Sequence, residues 1–211
     1  MKNKKEQEME NYIFIDGKKT VLTEQQAKQI KERFCEQTTK LADVKTGETV
    51  KIAGLAFVVL EQTGEETALI LEDLAETDVV FSNKNNNYSG SEVDELCNDF
   101  AEDIANAIGA ENIVMHEVDL TSNDGLKDYG TIKRQASALT ADRYRKYVEI
   151  LDNYKPEEWW WLSTPESTTK HECDRWTLCV SPAGNIFNDI YYYCYGVRPF
   201  CILKSSIFVS L

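Results

Sequence analysis

The sequence predicts an α+β fold in which two main helices accompany a mostly antiparallel sheet. One observation is a stretch of apolar and β-branched residues over 48–71, broken by glycine-containing turns, which is typical of a strand meander. Another is the helical spacing of apolar residues over 91–108 and 140–151. From Trp159 onward the chain shows short strand patterns and loops, so helices and strands occupy separate stretches, as in α+β domains.

The N-terminal region, residues 1–40, is predicted to extend a main domain that spans residues 41–211. The Asp16-Gly17 pair suits a type I′ turn, so the flanking residues are expected to form a short hairpin. Thr23 and Gln26 fit a capping box that starts a helix. The apolar stripe of this helix is narrow and consists of Ala27, Ile30 and Phe34.

The meander contains the predicted strands Thr49–Ile52, Leu55–Leu60 and Thr67–Leu71. Residues 57–60 are apolar at every position, so both faces of the second strand need cover. We therefore expect that strand to lie in the centre of the sheet.

Each main helix carries its own start signal. Ser91 is expected to cap the first helix, with Asp94 at the capping-box position and Gly109 at the end. Thr140 is expected to cap the second helix. The residues with helical spacing are Val93, Leu96, Cys97, Phe100, Ile104 and Ile108 in the first helix, and Tyr144, Tyr147, Val148 and Leu151 in the second.

The C-terminal region is predicted to contain the strands Trp176–Val180, Ile186–Ile190 and Val197–Leu203. The surrounding frame is aromatic and proline-rich. Within it, segments 166–175 and 188–195 are rich in residue types that binding surfaces use for contact area and adaptable hydrogen bonds. Tyrosine also has high β propensity, so the residues alone leave a purely structural role open.

Composition excludes several functional classes. The formal net charge of −13 repels phosphate backbones, so we expect no nucleic-acid partner. The first residues lack the apolar segment of a secretory signal, and no apolar run reaches membrane-spanning length. We therefore expect a chain made in the cytoplasm without a signal peptide and without membrane insertion. Later assembly into a larger particle stays compatible with this.

The six cysteines are expected to be free and mostly buried thiols. Cys173 and Cys179 lie near His171, but their spacing matches no standard zinc site. Segment 118–128 lacks the residue order of an EF-hand, so we interpret it as a solvated turn rather than a calcium loop. No GxSxG, HExxH, P-loop or Rossmann motif is present. We expect no metal, no cofactor and no catalytic residue.

Three motifs together resemble a C-terminal domain found in Firmicutes and their prophages: WWWLSTP at 159–165, VSPAG at 180–184 and GVRP at 196–199. Residues 41–71 and 124–130 add to the resemblance, which covers most of the chain from about residue 40. That domain is similar to the C-type-lectin fold, in the branch shared with formylglycine-generating enzymes. The resemblance implies a C-type-lectin-like ligand-binding domain for residues 41–211.

Some proteins of this kind are hypervariable proteins of diversity-generating retroelements, which mutate adenines so that AAY codons become NNY codons. The resemblance implies a variable-type segment at about 166–195, in a non-catalytic, prophage-encoded protein for receptor recognition. Its partner would be a protein or glycan ligand on a cell surface. The ligand-binding residues expected on this basis are Ser167, Thr168, His171, Cys173, Asp174, Arg175, Asn188, Asp189, Tyr191, Tyr193 and Tyr195.

A diversified site needs a backbone that does not depend on the varied side chains. The tryptophans at 159–161 are expected to be buried anchors, with one of them at a rim, and Arg198 to form an ion pair or bind carbonyls. If residues 188–195 form a regular strand, alternate side chains share a face. The ligand-facing set would then be Asp189, Tyr191, Tyr193 and Tyr195, with Tyr192 and Cys194 facing away.

Two other functions stay open. One is a structural or assembly subunit of a phage particle, or a homo-oligomer, although the sequence sets no stoichiometry. The other is an enzyme of the formylglycine-generating type, which needs reactive cysteines. Cys194 and Cys201 are available for that chemistry, but neither has a histidine or basic residue nearby in sequence that would activate the thiol.

Overall fold

The computed structural model describes residues 12–15, 18–26 and 38–211, and the chain divides into two compact units, 1–38 and 39–211. In the first unit, strands β1 (Tyr12–Ile15) and β2 (Lys18–Val21) pair in antiparallel fashion, which confirms the two arms of the predicted hairpin. The turn residues Asp16 and Gly17 lie outside the described residues, as does the stripe of Ala27, Ile30 and Phe34.

The predicted capping box at the start of the N-terminal helix is confirmed. The amide of Gln26 donates to Thr23 Oγ1 at 3.2 Å, and the amide of Thr23 donates to Gln26 Oε1 at 3.0 Å. The side-chain oxygen of each residue thus accepts a hydrogen bond from the backbone amide of the other. Amides in the first turn of a helix have no partner within the helix itself.

From Thr38 onward the chain forms a mixed α+β structure with mostly antiparallel sheets. The helices are α1 (Glu92–Ile108) and α2 (Ala141–Leu151). The strands are β3 (Thr38–Lys40), β4 (Thr49–Ile52), β5 (Leu55–Thr63), β6 (Glu66–Leu71), β7 (Glu76–Val80), β8 (Ile113–Val114), β9 (His116–Asp119), β10 (Thr131–Arg134), β11 (Ala136–Ser137), β12 (Trp160–Pro165), β13 (Trp176–Val180), β14 (Ile186–Ile190), β15 (Cys194–Val197), β16 (Phe200–Lys204) and β17 (Phe208–Ser210).

Two sheets organise this part of the chain. The larger has the order β11–β16–β6–β5–β4–β17–β3, with β8 beside β16, and the smaller has the order β14–β13–β12–β15–β7. Strands β12 and β15 run parallel. Strands β9 and β10 form a separate two-stranded hairpin.

Strand β5 lies in the centre of the larger sheet, as its continuous apolar run predicts. Phe57 and Val59 pack into the cluster that contains Phe100 of α1, whereas Val58 and Leu60 pack into the cluster that contains Tyr144 of α2. Residues of both faces are therefore buried, which explains why the usual alternation of apolar and polar residues is missing from this strand.

Both predicted helix starts are confirmed. Ser91 Oγ accepts from the amide of Asp94 at 3.1 Å, and Thr140 Oγ1 accepts from the amide of Arg143 at 3.2 Å. Gly109 ends α1 with a φ of 92°, a conformation that costs glycine little. The carboxylate of Asp94 is buried and receives two hydrogen bonds from Arg134, at 2.7 and 2.6 Å, which join α1 to β10.

The prediction of one strand over Val197–Leu203 is wrong. The chain leaves the smaller sheet after Val197 in β15 and enters the larger sheet at Phe200 in β16. Pro199 lacks an amide hydrogen and cannot complete a continuous ladder, and the side chain of Arg198 turns into the interior between the two strands.

None of the helices in the described part of the chain is long and apolar enough to cross a membrane.

Candidate functional site

The two polar segments predicted to bind ligand meet at one end of the smaller sheet. Residues 166–175 connect β12 to β13, and residues 191–193 connect β14 to β15. Strands β13 and β14 pair with Trp176 opposite Ile190. Beyond that pair the amide of Tyr191 donates to the carbonyl of Arg175 at 3.0 Å. The hairpin of β13 and β14 thus brings segments 166–175 and 188–195 together.

A buried asparagine holds the backbone of the first segment. The side-chain nitrogen of Asn86 donates to the carbonyls of Ser167 at 3.0 Å and Trp176 at 2.7 Å. The backbone amide of Asn86 donates to the carbonyl of Asp174 at 2.9 Å. The side-chain oxygen of Asn86 accepts from Tyr129 at 2.9 Å. Asn86 is fully buried, so these bonds have no competition from water.

Further main-chain bonds fix the ends of both segments. The amide of Asn123 donates to the carbonyl of Pro165 at 2.9 Å, and the amide of Asp124 donates to that of Glu166 at 3.3 Å. In the second segment, the amide of Ser82 donates to the carbonyl of Tyr191 at 3.1 Å. Because these contacts reach carbonyl groups, they are available whatever side chains the two segments carry.

Ser167 and Thr168 lie inside this support and do not point to solvent. They are 6% and 0% exposed, and their hydroxyl groups donate to Asp124 and Asp128, both at 2.7 Å. These two side chains therefore hold segment 166–175 against the 124–128 loop. The sequence placed them among the ligand-binding residues because it could not show which loop lies behind them.

His171 is exposed and lies against the same loop. Its Nδ1 is 3.1 Å from Asp124 Oδ2. Hydrogen bonds from Ser122, Ser167 and His171 lower the pKa of Asp124 to about 2, so this carboxylate stays ionised at any physiological pH. The turn at 118–128, interpreted from the sequence as a solvated loop, thus supports the predicted ligand-binding segment.

The remaining predicted residues are open to solvent to different degrees. Arg175, Asn188 and Tyr193 are exposed, whereas Cys173, Asp174, Asp189, Tyr191 and Tyr195 are partly exposed. Several exposed neighbours were not predicted: Thr169, Lys170, Glu172, Trp176, Phe187, Tyr192 and Cys194. The signal that could have found Phe187 is its place in a strand at the edge of the sheet, next to residues already selected.

Residues 188–195 do not form the regular strand on which the expected alternation of faces depends. Strand β14 ends at Ile190, and residues 191–193 form a turn. Tyr191 and Tyr195 pack against the buried cluster around Trp161, whereas Tyr192 and Tyr193 are 48% and 50% exposed. The turn breaks the period of two, so Tyr193 no longer shares a face with Tyr195.

A row of aromatic rings borders this turn. Trp160 and Trp161 are buried, at 1% and 0% exposure, and Trp159 lies at the rim, as predicted. The ring of Trp159 is 5.2 Å from that of Phe187 and stacks on that of Tyr195 at 5.6 Å. These spacings are typical of favourable aromatic pairs.

Tyr195 is also tied to strand β14, from which β12 and β13 separate it in the sheet. Its hydroxyl donates to Asp189 Oδ2 at 2.6 Å, and its ring lies 4.6 Å from that of Trp161. Burial, together with the hydrogen bond to the Asp189 carboxylate, raises the pKa of Tyr195. Asp189 and Tyr195 therefore lie on one side of the sheet, as expected. Their side chains are bonded to each other, so neither is wholly free to contact a ligand.

Arg198 supports the frame by binding carbonyls, which was one of the two predicted roles. It is 1% exposed, and its Nε and Nη2 donate to the carbonyls of Leu71 at 2.8 Å and Glu72 at 2.7 Å. The guanidinium lies 5.5 Å from the ring centre of Trp160. Burial lowers the pKa of Arg198 to about 10, which still leaves the guanidinium charged at neutral pH.

Three cysteines of the described residues are buried thiols. Burial raises the pKa of the Cys97, Cys179 and Cys201 thiols to about 12, so these thiols are protonated at neutral pH. Within residues 12–15, 18–26 and 38–211, no group of three or more His, Cys, Asp or Glu side chains is placed to hold a metal ion. The exposed residues offer hydrogen-bonding groups and aromatic surface.

A comparison of the chain with models of protein families found no match, and comparisons with curated proteins and with solved structures found no significant match.

Proposed function

We propose that this protein is a non-catalytic ligand-binding protein that displays a diversified surface on a C-type-lectin-like scaffold. In this proposal the protein is prophage-encoded and recognises a receptor, a protein or glycan on a cell surface. The diversified surface consists of the exposed side chains of segments 166–175 and 188–195.

One observation carries the proposal: the backbone of the display surface is held by groups outside it. Asn86 binds the carbonyls of Ser167, Asp174 and Trp176, and Ser82 binds that of Tyr191. Side chains such as those of Arg175 and Tyr193 can then change without removing a bond that positions the chain. A surface with this property can present many side chains on one fold, which suits recognition of changing receptors.

The aromatic frame supports the same proposal. The buried rings of Trp160 and Trp161 and the guanidinium of Arg198 stabilise the smaller sheet from inside. Tyrosine and tryptophan at the rim supply large contact areas with few rotatable bonds, so little conformational entropy is lost on binding. Hot spots of protein interfaces are enriched in the same residue types.

The DNA around the gene tests the diversification directly. We expect a near-copy of the segment that encodes residues 166–200, differing only at positions where the copy has adenine, beside a gene for a reverse transcriptase. The differences should fall on exposed positions such as Arg175 and Tyr193, and they should spare buried positions of the same segment such as Thr168, Leu178 and Arg198. A genome that contains this gene without such a copy would contradict diversification and favour a fixed binding or assembly role.

A display library tests the tolerance of the surface. We expect most clones randomised at His171, Arg175, Tyr192 and Tyr193 to stay folded, and selection against an unrelated purified protein to yield specific binders. A matched library randomised at Ser167, Thr168, Asp189 and Tyr195 should lose folded clones, because these side chains hold the segments in place. Equal losses of folded protein in the two libraries would contradict the proposal.

A further inference from the structure

An aromatic surface with a carboxylate at its edge lies next to the display segments. It consists of Phe187, Trp159 and Tyr195, whose rings follow one another at 5.2 and 5.6 Å. Phe187 is 49% exposed, and Trp159 and Tyr195 are partly exposed. Phe187 lies on β14, the edge strand of the smaller sheet.

Asp189 stands two residues after Phe187 on β14 and therefore on the same face of the strand. Its Oδ2 accepts from Tyr195 at 2.6 Å, and its Oδ1 accepts from the amide of Ile190 at 2.7 Å. A carboxylate has about four acceptor positions, so roughly two stay available at this partly exposed group. The hydrogen bond from Tyr195 also fixes the carboxylate beside the rings.

Two acidic residues adjoin this surface in the sequence, and the chain as a whole is acidic. Glu157 and Glu158 are exposed and immediately precede Trp159. The whole chain carries a formal net charge of −13, so its field attracts cations over a distance of about a Debye length. Aromatic rings attract cations at their faces, and a carboxylate within reach adds a charged hydrogen bond.

We propose that the surface of Phe187, Trp159, Tyr195 and Asp189 binds a lysine or arginine side chain of a protein ligand. The aliphatic part and the cationic head pack on the rings, and the head donates to Asp189. Arginine suits the site better than lysine, because its planar guanidinium stacks on aromatic faces and is more weakly hydrated. This inference rests on the proposed ligand-binding function and assigns the chemical class of the partner.

The probe is a capped peptide with three arginines separated by glycine and serine, and the matched control peptide carries citrulline in place of arginine. Citrulline keeps the shape of arginine and removes its charge. Two-dimensional NMR at 0.15 M salt measures weak affinity and identifies the site. We expect the arginine peptide to bind several-fold more tightly and to shift the Trp159 indole and Tyr195 amide signals.

Two variants test the residues. Phe187→Ala and Asp189→Asn should each weaken binding of the arginine peptide by about two- to fivefold, the range of an exposed cation–π contact or charged hydrogen bond. The matched controls are Phe208→Ala, an equally removable ring that is 64% exposed elsewhere, and Asp99→Asn, an exposed carboxylate on α1. The controls should change the affinity by less than about 1.5-fold. Thermal unfolding confirms that each variant is folded.

Each alternative result has a distinct meaning. Equal weakening by Asp99→Asn and Asp189→Asn would mean attraction by bulk charge and would overturn the inference. Equal binding of the citrulline peptide, still weakened by Phe187→Ala, would overturn the cationic ligand class and leave the proposed binding surface standing. If neither peptide binds, the inference of a cationic side-chain ligand is likewise overturned. The proposed diversification is tested independently of these peptides, by the search for a near-copy in the DNA around the gene.

Discussion

The side-chain nitrogen of Asn86 donates to the carbonyl oxygen of Trp176 at 2.7 Å, across a sequence separation of 90 residues. The loop that contains Asn86 is thus bonded to Trp176, the residue at which segment 166–175 ends and strand β13 begins. This buried side chain connects the loop before α1 to the proposed binding surface through main-chain atoms of that surface.

Replacement of Asn86 should therefore destabilise the fold and loosen the display segment. In Asn86→Ala the carbonyl of Ser167 loses its donor and Tyr129 loses its acceptor, while the carbonyl of Trp176 keeps only the bond from the amide of Glu166. Buried polar groups without partners cost about 1–3 kcal/mol each, so we expect a loss of about 2–4 kcal/mol in the free energy of unfolding. Urea denaturation measures it.

Asn85→Ala is the matched control for this substitution. The side chain of Asn85 accepts only from the nearby amide of Asn87, at 3.1 Å, so its removal should cost about 1 kcal/mol or less. Hydrogen exchange should quicken for residues 167–176 in Asn86→Ala and stay unchanged in Asn85→Ala. Similar costs for the two variants would mean that the bonds of Asn86 do not support the segment.

Two tyrosines of the same run should respond differently to truncation. Tyr195 packs on Trp161 and donates to Asp189, whereas Tyr193 is 50% exposed. We expect Tyr195→Ser to lower the free energy of unfolding by about 2–4 kcal/mol and Tyr193→Ser by no more than about 1 kcal/mol. Thermal and urea unfolding of the two variants measure the difference. A loss for Tyr193→Ser as large as that for Tyr195→Ser would place Tyr193 in the frame and remove it from the display surface.

The cysteines should differ in reactivity according to their burial. Cys194 is exposed, whereas Cys97, Cys179 and Cys201 are buried with pKa values raised to about 12. Brief treatment of the native protein with iodoacetamide at pH 7.5 should modify Cys194 and spare the three buried thiols, because only an accessible thiolate reacts. Peptide mass spectrometry identifies the modified residues.

Denaturation provides the control for the alkylation experiment. In urea all three buried thiols should react, and in native Cys194→Ser they should stay protected. Rapid modification of Cys179 in the native protein would mean that the smaller sheet opens around Trp161, which would contradict a rigid frame beneath the display surface.

Local patterns were sufficient to predict the helices and the edge hairpin of the smaller sheet. The strands Trp176–Val180 and Ile186–Ile190 match β13 and β14 residue by residue, because each contains β-branched and aromatic residues and lies between turn residues. Large aromatic rings favour burial, so buried tryptophans were also predictable. For Arg198 the sequence left an ion pair and carbonyl binding open, and the structure shows the second.

Contacts between distant segments could not be predicted in this way. Strand β7 contains exposed acidic residues and shows no apolar alternation, yet it pairs with β15. Asn86 lies in an asparagine-rich loop in which nothing distinguishes it from its neighbours. Ser167 reaches Asp124 across 43 residues. These contacts decide which candidate residues are buried, and the sequence alone could not show them.

The buried histidine should make the stability of the fold depend on pH in mildly acidic solution. His116 is 5% exposed, and burial, followed by the positive charge of Arg143, lowers its pKa to about 3. In the unfolded chain the same group takes up a proton near pH 6.5. The unfolded state therefore binds more protons between these values, and stability falls as the pH falls below about 6.5, by up to about 1.4 kcal/mol per pH unit.

Urea unfolding at pH 7.5, 6.5, 5.5 and 5.0 measures this dependence above the range in which carboxylates titrate. The chain has two histidines, and His171 is exposed, so His171→Gln is the matched control for His116→Gln. We expect the free energy of unfolding of the wild type and of His171→Gln to fall by about 1–2 kcal/mol between pH 6.5 and 5.0. His116→Gln can still bond to Ser137 but cannot titrate, so its free energy of unfolding should stay nearly constant over this range. If its pH dependence equals that of the wild type, His116 is not the group that links acidification to unfolding.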